Sequence, residues 1–328
     1  MKSMDLNRPV TVWKEDDVVD GRREKALVAI FRTRGCHWSR KGGCSMCGYN
    51  VESLEGIGPE EISAQLSAVL ERYEGERMVK LYTSGSFLDP NEIPLEVRDR
   101  VLNSFDGAKR VLFESRPEFV TPEVLKELPD HSAVALGLES ASDTVLRCSV
   151  RKGFGVKDYV RAADALKERG LPVRTYLLLK PPYLTERAAI EDAKASVIFA
   201  APRSESVSVN PLNVQRETLV EGLWKRGDYR PPWIWSLFEV LKLRAEIAGV
   251  RIFSSPSGAG TQRGVHNCPD CDKRLLDVLE KFNFEQDASL LDGQGCHCRG
   301  EWRSLLRTED AMRTSVDVRR HLDDELAL

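Results

Sequence analysis

Apolar and polar positions alternate along the chain in blocks. Short runs rich in β-branched and aromatic residues read as strands: "ALVAIFRT" (26–33), "RMVKLYTS" (77–84), "KRVLFES" (109–115), "SAVALGLES" (132–140), "VRTYLLLK" (173–180), "ESVSVNPL" (205–212) and "VRIFSS" (250–255). Most are continuously apolar, the pattern of strands covered on both faces. Between them, "PEEISAQLSAVLERY" (59–73), "DYVRAADALKERG" (158–170), "ERAAIEDAKASVIFA" (186–200) and "WIWSLFEVLKLRAEIAG" (233–249) carry apolar residues three and four apart, the spacing of amphipathic helices. Repeated strand–helix alternation predicts an α/β fold with a parallel sheet or barrel. A last helix is predicted over "GEWRSLLRTEDAMR" (300–313).

Such folds gather their chemistry at the C-terminal ends of the strands. "TSGSFLDP" follows the second run, "ESRPE" the third, "LESAS" the fourth and "KPP" the fifth, and a cysteine-bearing loop follows the first. Five strand ends are therefore expected to meet at one mouth. Near residue 256 the composition turns rich in Gly, Pro and Ser, and cysteines then appear in "PSGAGTQRGVHNCPDCD". The expected organisation is an N-terminal extension (1–25), a core (26–258) and a small cysteine-rich domain (259–328).

Composition adds limits. Of 328 residues, 41% are hydrophobic and 30% charged, as in an ordinary soluble globular protein. No apolar run reaches the roughly 18 residues of a membrane span. The opening "MKSMDLNRPVTVWKEDD" lacks an apolar signal region, so a cytoplasmic location is expected. The net charge of −3 carries no global signature of nucleic-acid binding. Residues 21–41, however, hold Arg22, Arg23, Lys25, Arg32, Arg34, Arg40 and Lys41 against Glu24 alone. That run is either a local phosphate-binding patch or a solvated rim.

Cysteine placement narrows the chemistry. Cys36, Cys44 and Cys47 are spaced C-x7-C-x2-C, while Cys268-x2-Cys271 and Cys296-x-Cys298 form two close pairs. Such clustering in a long chain points to metal rather than disulfides. Three thiolates on a four-iron cluster leave one iron open, and an open position is where substrate chemistry occurs. The competing reading of this loop is a zinc site completed from elsewhere, with His37 as a candidate. The second set fits a four-thiolate zinc ribbon or knuckle, or an auxiliary iron–sulfur cluster, with His266 and His297 able to replace a thiolate. Cys148 reads as a buried thiol.

The three-cysteine loop after the first strand, with Met46 before its last cysteine, resembles that of the radical S-adenosylmethionine (SAM) superfamily. The superfamily's usual spacing is C-x3-C-x2-C; the longer first gap occurs in divergent branches. The resemblance implies a partial (βα)6-type TIM barrel, here with a small C-terminal four-cysteine domain. It implies a [4Fe-4S] cluster on Cys36, Cys44 and Cys47, whose open iron is chelated by SAM, and cleavage of SAM to a 5′-deoxyadenosyl radical. Gly85, with Ser84 and Ser86, resembles the segment contacting the methionine amino group. Glu114 and Arg116 in "ESRP" resemble a motif of the Elongator-type branch, although the two could simply pair with each other. Glu139 and Ser140 in "GLES" resemble residues near the cofactor ribose. Arg174 and Lys180 are candidates for the methionine carboxylate, because a buried carboxylate needs a charged donor.

"CSMCGY", "ESRPE", "LGLES", "RPPWIWS" and "GVHNCPDC", in that order, make residues 10 to 305 similar to the radical SAM subunit of archaeosine synthase. This implies a tRNA substrate carrying a lysine-modified 7-deazaguanine in its D-arm. It also implies breakage of a carbon–nitrogen bond to leave archaeosine, a lysine-transferring partner subunit and an electron donor. Alternatives are another radical SAM tRNA modifier (Elongator-like or methylthiotransferase-like) and a non-enzymatic zinc-binding RNA module. For tRNA contact, Arg299, Arg303 and Arg307 recur every four residues on the last helix, with Trp302 available to stack on a base. The plainer alternative is a solvated face paired with Glu301 and Glu309.

Overall fold

The computed structural model describes residues 5–312. In chain order its elements are β1 (Thr11–Val19), β2 (Arg22–Ile30), α1 (Pro59–Leu70), β3 (Met78–Tyr82), α2 (Leu95–Asn103), β4 (Arg110–Ser115), α3 (Pro122–Glu127), β5 (Ser132–Glu139), α4 (Val156–Glu168), β6 (Val173–Leu179), α5 (Glu186–Ala200), β7 (Ser206–Pro211), α6 (Leu219–Arg226), α7 (Ile234–Leu241), β8 (Arg251–Phe253), α8 (Asp272–Glu285) and α9 (Arg299–Met312). The strands follow one another in the sheet in chain order. β1 is antiparallel to β2, and the β2–β3, β3–β4, β4–β5 and β7–β8 pairs are parallel. Every predicted apolar run contains a strand, and the α/β class holds. Residues 313–328 of the expected C-terminal domain lie outside the described residues. No helix among the described residues is long and apolar enough to cross a membrane.

β1 is an element the hydrophobic pattern did not predict, because its centre, "KEDD", is charged. It exists by pairing with β2 through a tight turn at Asp20 and Gly21, whose φ values of 49° and 76° are those of a hairpin Asp-Gly pair. The helix predicted over 233–249 is shorter than expected: α7 ends at Leu241 and tightens into a 3-10 turn, Lys242–Ala245.

The described chain falls into two compact units. The first takes in residues 5–42, 49–137 and 157–174, and the second 43–48, 138–156 and 175–312. In the first unit Leu27, Val28 and Ala29 are all fully buried, so β2 is covered on both faces as its continuous apolar run requires. α1 buries Ile62, Leu66 and Val69 on one stripe, together with Gln65. That glutamine is tolerated inside because its amide is used. Arg32 N donates to its Oε1 at 2.8 Å, and its Nε2 donates to Arg32 O at 3.1 Å. The chain is thus pinned just after β2, where the cysteine loop starts.

In the second unit, α5 begins at Thr185, whose Oγ1 accepts the N–H of Ala188 at 3.1 Å. The short β8 and the residue after it are bound by side-chain amides from the last turn of α8 and its C-cap. Ile252 N donates to Gln286 Oε1 at 2.9 Å, and Ser254 N to Asn283 Oδ1 at 3.0 Å. α9 lies on the start of α5: Glu309 Oε2 accepts the N–H of Glu186 at 2.7 Å, and Arg187 Nε donates to Leu306 O at 2.8 Å. A carboxylate there meets the positive end of the α5 dipole. The cysteine-bearing segment after residue 258 is therefore packed on α5 and β8.

Candidate metal and cofactor sites

In the first unit, Cys36 is half-buried in the loop that leaves β2, and "TSGS" leaves β3 beside it. Gly85 faces Cys36 so closely that a Cβ there would lie 2.5 Å from Cys36 Cβ, 2.8 Å from Cys36 Sγ and 2.6 Å from Glu92 Oε1. Only glycine fits. Glu92 joins the two loops. Its Oε2 accepts from Thr33 Oγ1 at 2.9 Å, its Oε1 accepts from Ser86 N at 2.6 Å, and Thr33 Oγ1 also accepts from Gly35 N at 3.1 Å. Burial pushes the Glu92 carboxyl up to about 7. Ser84 Oγ accepts from Ser53 Oγ at 3.1 Å. Ser86 is fully buried, and its Oγ lies 2.9 Å from Ser115 Oγ and accepts from Arg116 N at 3.2 Å, so it ties the end of β3 to the end of β4.

The carbonyl of Glu114 accepts Phe87 N at 2.8 Å. Arg116 is buried, binds Glu118 Oε1 at 2.6 Å and lies over the Trp38 ring at 5.7 Å. His37 stands between carboxylates, 3.5 Å from Asp89 Oδ2 and 3.6 Å from Glu118 Oε1. Arg174 is a correction. It is the second residue of β6, at the strand end away from the cysteine loop, and both its terminal nitrogens donate to Asp17 Oδ2 at 3.1 Å. Lys80 Nζ meets the same oxygen at 2.5 Å. Arg174 belongs to a buried ion cluster across the sheet rather than to a mouth at the strand ends.

In the second unit, Cys44, Met46 and Cys47 are half-buried on a pinned turn. Ser45 N donates to Val150 O at 2.9 Å, Ser45 Oγ to Ser149 O at 2.6 Å, and Gly48 N to Gln215 Oε1 at 2.5 Å. Glu139, at φ 67°, pairs with Lys152 at 2.7 Å. Ser140 Oγ donates to Asp192 Oδ1 at 2.7 Å and accepts from Ser142 N at 3.0 Å. Burial pushes Asp192 up to about 6. Lys180, at φ 61°, pairs with the fully buried Glu186 at 2.7 Å. Cys148 is buried, as expected.

Cys36 in the first unit, and Cys44 and Cys47 in the second, are each partly exposed and none is in a disulfide. Thiols of this kind are the ligands that an iron–sulfur cluster uses.

The second cysteine set is built differently. The Sγ atoms of Cys268, Cys271, Cys296 and Cys298 all lie within 4.8 Å of one another. Cys268 is 3.6 Å from Cys271 and 3.5 Å from Cys296, and Cys271 is 3.7 Å from Cys298. One tetrahedral ion with sulfur at about 2.3 Å separates its sulfurs by about 3.8 Å. A cluster, with irons at its corners, would hold them further apart. Burial pushes the Cys271 thiol up to about 11 and Cys298 further in the same direction, while the Cys298 backbone N–H holds Cys296 down to about 7. A central cation is what lets such crowded thiols all ionise. The set is a metal-binding site. His266 bonds its own turn, Nδ1 lying 2.8 Å from Gly264 O, and His297 is exposed 3.6 Å from Cys296 Sγ.

On α9 the expected arginine stripe is reduced. Trp302 is 5% exposed, and its Nε1 donates to Ser236 Oγ at 2.9 Å, so the indole is packed inside rather than offered to a base. Arg299 donates to Gln294 O at 2.7 Å and lies over Trp235. Arg303 and Arg307 are exposed. The basic run 21–41 is also divided. Arg22, Arg23 and Lys25 start β2, while Arg32, Arg34, Arg40 and Lys41 follow its far end, and Asp16 already binds Arg23 at 2.6 Å and Lys25 at 2.7 Å.

The radical SAM superfamily profile matches residues 30–195. The archaeosine synthase subunit beta of Methanosarcina acetivorans is 41% identical over 324 residues, which span 94% of this chain and 93% of that one. Its namesake from Thermococcus kodakarensis is 39% identical over 312 residues, 90% of this chain and 96% of that one. The chain belongs to the archaeosine synthase subunit beta family of radical SAM enzymes. Among solved structures, the Methanocaldococcus infernus Elp3 with an N-terminal deletion matches with a TM-score of 0.52 and 19% identity, over 78% of this chain and 63% of that one. This likeness shows the fold alone, an α/β arrangement as the alternating pattern implied. The structure adds residues that the sequence did not single out: Glu92, Asp192, Glu186 and Asn267. The first three are acids in apolar or small-residue surroundings ("NEIP", "IEDA", "TERA"), a weak signal that does not name a partner.

Proposed function

We propose that this chain is the radical SAM subunit of an archaeosine synthase, acting in the cytoplasm on a lysine-modified 7-deazaguanosine in the tRNA D-arm. It would break a carbon–nitrogen bond there to leave archaeosine. A lysine-transferring subunit and an electron donor are the partners that this reaction requires. The near full-length match to archaeosine synthase beta subunits supports the substrate class. The observation that carries the chemistry is the set of three partly exposed thiols with Gly85 against Cys36.

When bound, the cluster and SAM supply one-electron chemistry that takes a hydrogen atom from the substrate. The protein's part is position. Cys36, Cys44 and Cys47 hold the cluster, and Gly85 keeps the approach to it open. Glu92 fixes the Cys36 loop against the Gly85 loop, and Lys180 offers a cation for a carboxylate. Glu139 and Ser140, the latter held by Asp192, form the strand end assigned to the ribose. Zinc is the ion for Cys268, Cys271, Cys296 and Cys298, because sulfurs 3.5–3.7 Å apart suit a single tetrahedral centre. Residues 26–258 serve as the core and 259–328 as a metal-stapled segment, with Arg303 and Arg307 as its phosphate contacts.

Replacing Cys36, Cys44 or Cys47 by Ala tests this. Each variant is expected to lose release of 5′-deoxyadenosine and archaeosine formation alike, while binding to tRNA is retained. Near-normal 5′-deoxyadenosine release from any of them would refute the assignment.

A further inference from the structure

Glu186 is fully buried at the first position of α5, where its carboxylate serves several partners. Its Oε1 accepts from Trp233 N at 2.8 Å and from Ser236 Oγ at 2.5 Å, and its Oε2 meets Lys180 Nζ at 2.7 Å. Ser236 Oγ also accepts from Trp302 Nε1 at 2.9 Å, and Trp302 N in turn donates to Cys298 O at 3.1 Å. A second thread starts from the other cysteine pair. Asn267 Nδ2 lies 3.7 Å from Cys271 Sγ, and its Oδ1 accepts Ile234 N at 2.8 Å, one residue from Trp233. Tyr229 OH donates to Lys180 O at 2.7 Å and so helps hold Lys180 in its left-handed backbone conformation.

"YRPPWIWS" is therefore a buried clasp with one end on the four-cysteine site and the other on Lys180. A buried ammonium and carboxylate are retained only when each is held and hydrogen-bonded, since an uncompensated charge is costly there. Glu186 occupies one of the three donors of Lys180 and fixes its direction, and the ammonium lies 5.8 Å from the centre of the Tyr229 ring; a ligand carboxylate would take a remaining donor. We propose that the four-cysteine site is a positioning device for cofactor binding: through Trp302, Ser236 and Glu186 it holds Lys180 in the orientation that binds the SAM carboxylate. This rests on the reading of Lys180 as the carboxylate partner. It makes Ser236 and Glu186 positioning residues that act through Lys180.

The test is equilibrium binding of SAM to cluster-loaded protein, with metal content and melting temperature measured alongside. Lys180→Ala should weaken binding by about tenfold, as expected for one lost charge-assisted contact. Ser236→Ala should weaken it by about threefold, and Trp302→Phe, which keeps the packing and removes only the N–H, should act in the same direction. The double variant Ser236→Ala, Lys180→Ala should bind no more weakly than Lys180→Ala alone. The proposal is overturned if the two effects multiply, or if Ser236→Ala and Trp302→Phe lower the melting temperature and leave the Kd unchanged. An unchanged Kd for Lys180→Ala would remove the reading of Lys180 itself, and the proposal with it. The single variant thus separates that failure from failure of the relay.

Discussion

The loop with Cys36, Cys44 and Cys47 and the site with Cys268, Cys271, Cys296 and Cys298 use the same side chain to opposite ends. In the first, all three thiols are half-buried, and the neighbour of Cys36 is a glycine. In the second, Cys271 and Cys298 are each 1% exposed while Cys268 and Cys296 are half-buried, and an asparagine amide approaches one of the sulfurs. A site that leaves a coordination position open must be reachable and must keep side chains away from that position. A closed site has all its ligands from the chain and stabilises the fold through them. Ligand count, more than exposure, is what distinguishes the proposed reactive centre from the proposed structural one.

The sharpest way to break the comparison is Gly85→Ala. The new methyl would sit 2.5 Å from Cys36 Cβ and 2.6 Å from Glu92 Oε1, against atoms that Glu92 and Thr33 hold in place. Displacement of reacting groups by about 1 Å costs on the order of a hundredfold in rate. SAM cleavage should fall by that much, while metal at the four-cysteine site and the melting temperature change little. Wild-type cleavage in this variant would show that the Gly85 loop is not beside the working centre.

Cys271→Ser probes the other side. Loss of one buried thiolate from a closed site should release its metal and lower the melting temperature by roughly 10 °C, from a few kcal/mol of lost folding energy. Iron at the three-cysteine loop should remain. Loss of both metals together would mean that the two centres are not independent.

These variants also show how much was written in the sequence. The strands were legible because continuous apolar runs of strand length leave few other readings, and the four-cysteine site was legible because cysteine spacing is local. β1 was missed because its middle is charged, although Asp20-Gly21 before an apolar run was a hairpin signal. The misplaced Arg174 was readable too, since a residue that opens a strand predicted over 173–180 stands at the wrong end for chemistry. Glu92, Asp192 and Glu186 were not readable. Their side-chain partners Thr33, Ser140 and Ser236 lie 59, 52 and 50 residues away, and no local pattern records such contacts. Trp302 failed for a related reason. Helical spacing shows which residues share a face but not which face meets the core.

The smallest effect concerns RNA. Arg303→Ala and Arg307→Ala, both exposed on α9, should each flatten the dependence of log K on log salt by roughly one unit, with SAM cleavage unchanged. If the double variant keeps the wild-type slope, the phosphate contacts lie elsewhere, with Arg34, Arg40 and Lys41 beside the cysteine loop the next to replace.

The most direct test of the contrast is a metal count after anaerobic reconstitution with iron, sulfide and zinc. The wild-type chain should hold about four irons and about one zinc. The triple variant Cys36→Ala, Cys44→Ala, Cys47→Ala should lose the iron and keep the zinc. About eight irons without zinc in the wild type, or iron retained by the triple variant, would contradict the division into an open cluster site and a closed single-ion site.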